Sequence, residues 1–245
     1  MKLSRFSNSL FYVGTVLLLS SCGSGGNEKT AATDSTAAAD TAAKAQVVNT
    51  IVTTPQNVVV ITHKVADFAK WFVAYEAHDS ARLANGIHNY VIGRGLEDSN
   101  TVTVVLRVDD TTKAKAFAKD PGLKAAMQKG GVLGAPMMTS VTETWQDTAK
   151  IESALRSRAT YTIKDWDAWL KAFEDGKQER MDNGIVDRAV GHSLDDNKKV
   201  YVVTVLSDTA KAFAYYKSDA LKKRMQASGV TGEPVRFFYR LVKHY

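Results

Sequence analysis

The chain has one cysteine, Cys22, among its 245 residues. No intrachain disulfide can form, so the fold must rest on packing alone, even in an oxidising compartment. There is no cysteine pair, no His-Glu-x-x-His helix and no clustered histidine and carboxylate set of metal-ligand spacing. Phosphate loops of the G-x-G-x-x-G or Walker type are missing, as is a G-x-S-x-G turn. No bound metal, nucleotide or other cofactor is therefore expected. The formal charge is +6, yet no block of Lys and Arg occurs, which argues against a nucleic-acid partner. What is present, 44% hydrophobic and 24% charged residues, is the composition of a globular protein with a real core.

The N-terminus carries a secretory pattern. Lys2 and Arg5 precede a mostly apolar run, Leu10 to Leu19, that is short for a bilayer span. Leu19-Ser20-Ser21-Cys22 follows. This motif resembles the bacterial lipobox, in which the cysteine receives lipid and becomes the new N-terminus. Residues 1–21 are thus expected to be a lipoprotein signal peptide, with lipidation at Cys22 and the membrane as a partner through that lipid. Gly23 stands where an aspartate would mark inner-membrane retention, so the outer membrane of a Gram-negative envelope is the expected location. From there to residue 56 the chain is rich in Gly, Ser, Thr, Ala and Asp and has no aromatic residue. Such a segment cannot bury enough apolar area to offset its ordering entropy, and residues 22–56 are expected to be a lipidated, disordered tether.

Beyond the tether the sequence repeats itself. Residues 65–144 align without a gap on residues 163–242, with 28 identities in 80 positions. The densest stretch, Asp67 to Ile87, keeps Asp67, Trp71, Ala74, Glu76, Arg82, Asn85, Gly86 and Ile87, each with a twin 98 positions later. One folding unit therefore occurs twice. Asn57 to His63 reads as a strand, with a more polar twin near Arg158. Asp67 and Asp165 suit helix N-caps; Phe68, Trp71, Phe72 and Tyr75 recur at helical spacing; Asn85-Gly86 and Asn183-Gly184 end the helix. Two strands around Asp98 and around Asp196 form a hairpin, and a second helix and a last strand follow. Asp120-Pro121 predicts a break in that helix in the first copy; Asp219 replaces the proline in the second and predicts none. The expected organisation is β-α-β-β-α-β twice, an α+β fold with repeats at 57–145 and 158–245 and a connector at 146–157, helical in part over 147–155.

The repeat D-x-x-x-W-x-x-x-x-E…R-x-x-N-G-I, followed by the hairpin and by D-T-x-K-A-x-A…L-K-x-x-M-Q-x-x-G-V-x-G-x-P, resembles the dimeric α/β-barrel proteins. These are the antibiotic-biosynthesis-monooxygenase-like or cyclase-like proteins. The resemblance covers both repeats and implies ferredoxin-like units that pair through their sheets. With both on one chain, it implies an intrachain pseudo-dimer, for which a monomeric state is one option and the oligomeric state stays open. Activities in the superfamily include cofactor-free oxygenation, haem degradation and isomerisation, so activity does not follow from it. Asn57, Trp71 and His78 do not reproduce the Asn, Trp and His set of the haem-degrading relatives.

None of the five histidines has a histidine twin. Two equivalent histidine-dependent sites are therefore not expected, and a single site in the first repeat stays open as an alternative. His88, Tyr90 and Arg94 lie at period two on one strand and, with His63, could line a pocket as acid, base and anchor; the alternative is a half-exposed polar strand face. Arg82 and Arg180 either complement a helix end or meet the carboxylate or enolate of a ligand. Trp71 and Trp169 are core residues or the aromatic floor of a cleft between helices and sheet. Three roles follow: binding of a small, partly apolar molecule or a partner protein; cofactor-free oxygenation or isomerisation in the first repeat; or a structural module with both clefts filled.

Overall fold

The structure is a computed structural model that describes residues 49–245; the signal segment, Cys22 and most of the tether lie outside the described residues. In the first half β1 (Ile51–Val52) and β2 (Gln56–Val65) lead into α1 (Phe68–Ala77) and α2 (Asp79–Ala84). The hairpin β3 (Ile87–Gly95) and β4 (Thr101–Val108), helices α3 (Thr111–Phe117) and α4 (Pro121–Lys129), and the long β5 (Val132–Asp147) complete it. The second half repeats the order as β6 (Leu155–Ile163), α5 (Trp166–Asp175), α6 (Lys177–Asp182), β7 (Ile185–Ser193), β8 (Lys199–Leu206), α7 (Thr209–Tyr216), α8 (Asp219–Ala227) and β9 (Val230–His244).

The sheet order β5-β2-β4-β3 is repeated as β9-β6-β8-β7, and every pairing is antiparallel. β3 pairs with β9 and β5 with β7, so the two sheets join edge to edge into a closed barrel with the helices outside. The seams exist because β5 and β9 are long. β5 lies on β2 up to Glu143 and on β7 from Val141 to Gln146, and β9 divides itself in the same way between β6 and β3. Closure pairs every strand edge that a lone four-stranded sheet would leave bare. This is the tandem dimeric α/β barrel that the duplication predicts.

Local chemistry explains the shared elements. Asp67 accepts from Lys70 N at 2.8 Å and Asp165 from Ala168 N at 2.9 Å, each satisfying a free donor at a helix start. Gly86 and Gly184 hold φ of 66° and 69°, the left-handed conformation that a side chain disfavours. Three expectations need correction. The helix after Pro121's twin position does break, because Ser218 caps α8 through Leu221 N at 3.2 Å and does without proline. The connector holds no helix: Gln146 and Asp147 belong to β5, and β6 begins at Leu155 rather than 158. Its polar start, Leu155-Arg156-Ser157-Arg158, hid the strand because two arginines turn to the barrel interior. Finally, Ile51 and Val52, inside the expected tether, pair with Asp147 and Gln146.

Candidate functional site

The sheet of the first half and its helices do not close completely on each other. Between them lies a cavity of about 240 Å³. Val59, Ile61 and His63 of β2, Ile87 of β3 and Val104 and Leu106 of β4 form its floor; Trp71, Phe117, Leu123 and Met127 of the helices form its roof. Residues of β2 alternate, so the same parity that puts Val59 and Val65 in the core puts His63 there too.

His63 is 9% exposed, and neither ring nitrogen has a hydrogen-bond partner. Its ring meets Trp71 edge-on at 5.4 Å, Trp71 leans on Tyr75 at 5.1 Å, and the Arg82 guanidinium lies 3.8 Å above the Tyr75 ring. Burial pushes the His63 imidazole down to about 4, so it is neutral at physiological pH. Arg82 is 4% exposed; it donates to the Tyr75 carbonyl at 2.8 Å and reaches Asp79 only at 3.4 Å, and its Nε has no partner. Both side chains thus bring unused donor or acceptor capacity to an otherwise apolar hollow. Left so, each costs stability; a ligand with matching groups would recover it.

The second half handles the same positions differently. Arg180 forms a two-point pair with Asp187 at 2.8 and 2.6 Å and donates to the Phe173 carbonyl at 2.7 Å. The first-half twin of Asp187 is Asn89, which instead bonds Tyr75 and Asp79. Ala118 becomes Tyr216, Met138 becomes Arg236 and His63 becomes Tyr161. Arg236 lies 4.1 Å over the Tyr216 ring and bonds Tyr161 at 3.2 Å, so these three fill the space that is empty in the first half. A hollow of about 350 Å³ remains beside Trp145, Trp166 and Leu170, bordered by the Arg180–Asp187 pair. Trp169 is core.

The four candidate acid, base and anchor residues do not meet. His63 is in the cleft. His88 is exposed on the other side of the sheet, 3.1 Å from both carboxylate oxygens of Asp109. Tyr90 is packed under Arg107 and against His244 at a barrel end. Arg94 lies over Phe68 and donates to the Ser99 carbonyl at 2.7 Å. The period-two argument fails because β3 bulges between Asn89 and Val91. One extra residue reverses which face each later side chain takes. Tyr75 was missed as a wall residue; its place one turn after Trp71 was the available signal.

Sequence comparison identifies no relative: no protein-family model and no curated protein matches. Fold comparison does. An anthrone oxidase-like protein matches with a TM-score of 0.55 at 14% identity, over 79% of this chain and 94% of its own. A protein of Fusobacterium nucleatum, provisionally described as a monooxygenase, matches with 0.53 at 11% identity, over 78% and 94%. A haem-binding protein of Thermus thermophilus matches with 0.51 at 10% identity, over 80% and 94%. The chain shares the ferredoxin-like, dimeric α/β-barrel fold with these solved structures. At these identities the likeness is one of fold.

Proposed function

We propose that the protein is a lipid-anchored envelope protein, held by lipid on Cys22, that binds a small, partly apolar molecule in the cleft of its first half. One observation carries this reading: that cleft is open and holds unpartnered nitrogens of His63 and Arg82, while in the second half Tyr216, Arg236 and Tyr161 occupy the corresponding space and the arginine is paired. The volume lies below the roughly 300–1,000 Å³ of pockets for drug-sized ligands, which favours a compact ligand. Its apolar body would lie on Trp71, with one polar end toward His63 and an acidic group toward Arg82.

Native mass spectrometry of unlipidated protein from cell extract should find one small molecule bound to the wild type and none on Ala118→Tyr, which copies the filled twin. A bare wild type, or a molecule kept by Ala118→Tyr, would overturn the binding reading. The anchor has its own test: an alkynyl palmitate should label the wild type in cells but not Cys22→Ser, and label should travel with outer membranes on a density gradient.

A second reading is cofactor-free oxygenation, with neutral His63 accepting a proton from the ligand. The descriptions of two fold relatives, anthrone oxidase-like and monooxygenase, support it. Anthrone is then the probe. Enzyme-dependent oxygen uptake that His63→Ala removes favours this reading; uptake equal to the buffer rate rejects it for anthrones.

A further inference from the structure

The barrel interior holds charge that the cleft does not use. Strand alternation turns Arg107 of β4 and Arg156 and Arg158 of β6 inward, opposite to core neighbours such as Leu106 and Leu155. Arg188 falls in the bulge of β7. Of these four, only Arg188 has a described carboxylate within 4 Å, Asp147 at 3.9 Å. Arg158 donates to Thr62 and Thr103 at 3.1 and 3.0 Å, and Arg107 to Gln146 at 2.7 Å. Glu143 is the other interior carboxyl; burial pushes it up to about 7, and its Oε1 has no partner. Guanidinium charge is therefore in excess, in surroundings that screen it poorly.

Of the four, Arg107 lines an open groove of about 680 Å³ at one end of the barrel, together with His88, Tyr90, His244 and Tyr245. Arg107 lies 4.1 Å over the Tyr90 ring, and the His244 ring meets Tyr90 at 4.8 Å. Gln146 donates to the Tyr90 hydroxyl, whose own hydrogen is left to donate. The His244 imidazole is held below its ordinary range by burial first, then by Arg107, Arg188 and Arg156. Burial is the larger cause; the three guanidinium groups that add to it place positive charge near the groove, a field that draws an anion. Asp109 also lines the groove, but His88 already engages it.

We propose that this groove is a second ligand site, for an oxyanion group, either a carboxylate or a phosphate, held by Arg107 with Tyr90 and His244 beside it. It is independent of the cleft, being on the opposite face of the sheet. It also occurs once: the twins of Arg107, Arg156, Arg158 and Arg188 are Val205, Val58, Val60 and Tyr90.

The test is titration of the purified full chain with inorganic phosphate and, separately, acetate, with sodium chloride adjusted to constant ionic strength. Saturable binding by calorimetry, with a shift of the His244 ring resonances, is expected for at least one; which one identifies the class. Arg107→Met should weaken it at least tenfold. Should that variant not fold, Tyr90→Phe removes one donor and should weaken it at least threefold. A response no larger than chloride gives, or one unchanged in the variant that folds, overturns the proposal. Ala118→Tyr should leave anion binding intact, which separates this outcome from that of the cleft.

Discussion

In the first half the residue after Phe117 is alanine, and a hollow lies beneath it; in the second half the same position is Tyr216, and Arg236 covers its ring. In the first half Arg82 faces an asparagine where Arg180 faces Asp187. The two halves keep one backbone and spend its interior in opposite ways. In the second half the space beneath position 216 is packed and its arginine is paired; in the first that space is open and holds unpaired nitrogen. A duplicated barrel can do this because closure of the sheet already secures both halves, so one cleft is released from its packing role.

Four experiments break or sharpen this contrast. Tyr216→Ala should open the second cleft at a cost of about 3–5 kcal/mol, by analogy with other aromatic truncations, read as a lower midpoint in urea. Asp187→Asn gives Arg180 the surroundings of Arg82 and should cost about 3 kcal/mol, since it leaves a buried charge with its partner removed. The reciprocal Asn89→Asp should cost far less, and an equal loss would contradict the contrast. Third, His63 binds protons in the unfolded chain near 6.5 but in the folded protein only near 4. Its contribution is present above about pH 6.5 and is lost as pH falls toward 4, by about 3 kcal/mol in all. Glu143, raised to about 7, works against it: its contribution is present below about 4.5 and fades as pH rises through 7. The stability of the wild type minus that of His63→Phe isolates the histidine, and this signed difference should fall steadily in urea melts from pH 6.5 to pH 4. Smallest of all, Lys171→Ala breaks an exposed pair with Asp175 and should change stability by less than about 0.5 kcal/mol.

The fold was legible because its determinants are local and duplicated. Asp67 and Asp165 cap, Gly86 and Gly184 turn, and aromatic residues recur at helical spacing in both copies. Trp71 and Arg82 could be named as cleft candidates on the same ground. What could not be read depends on single events without a twin. A bulge at Tyr90 sent Arg94 to the face opposite His88 and Tyr90, which strict alternation had put on the same side. Ala118 counts for nothing in a sequence and decides whether a cleft exists. The interior arginines escaped notice because comparison of the repeats selects what is shared, and each of them stands opposite a valine or, for Arg188, a tyrosine.

The long final strands have a consequence for how the molecule is made. Gly93 pairs with Leu241, so one seam of the barrel waits for β9, about 150 residues further along the chain. Until β9 has left the ribosome, or the export channel if the chain is secreted, the outer edge of β3 has no neighbour and can recruit a foreign strand. Such distant pairing is also slow to form. Production of this protein would then be limited by how long the chain is shielded before β9 emerges, and a nonsense codon within β9 should be as damaging as one far earlier.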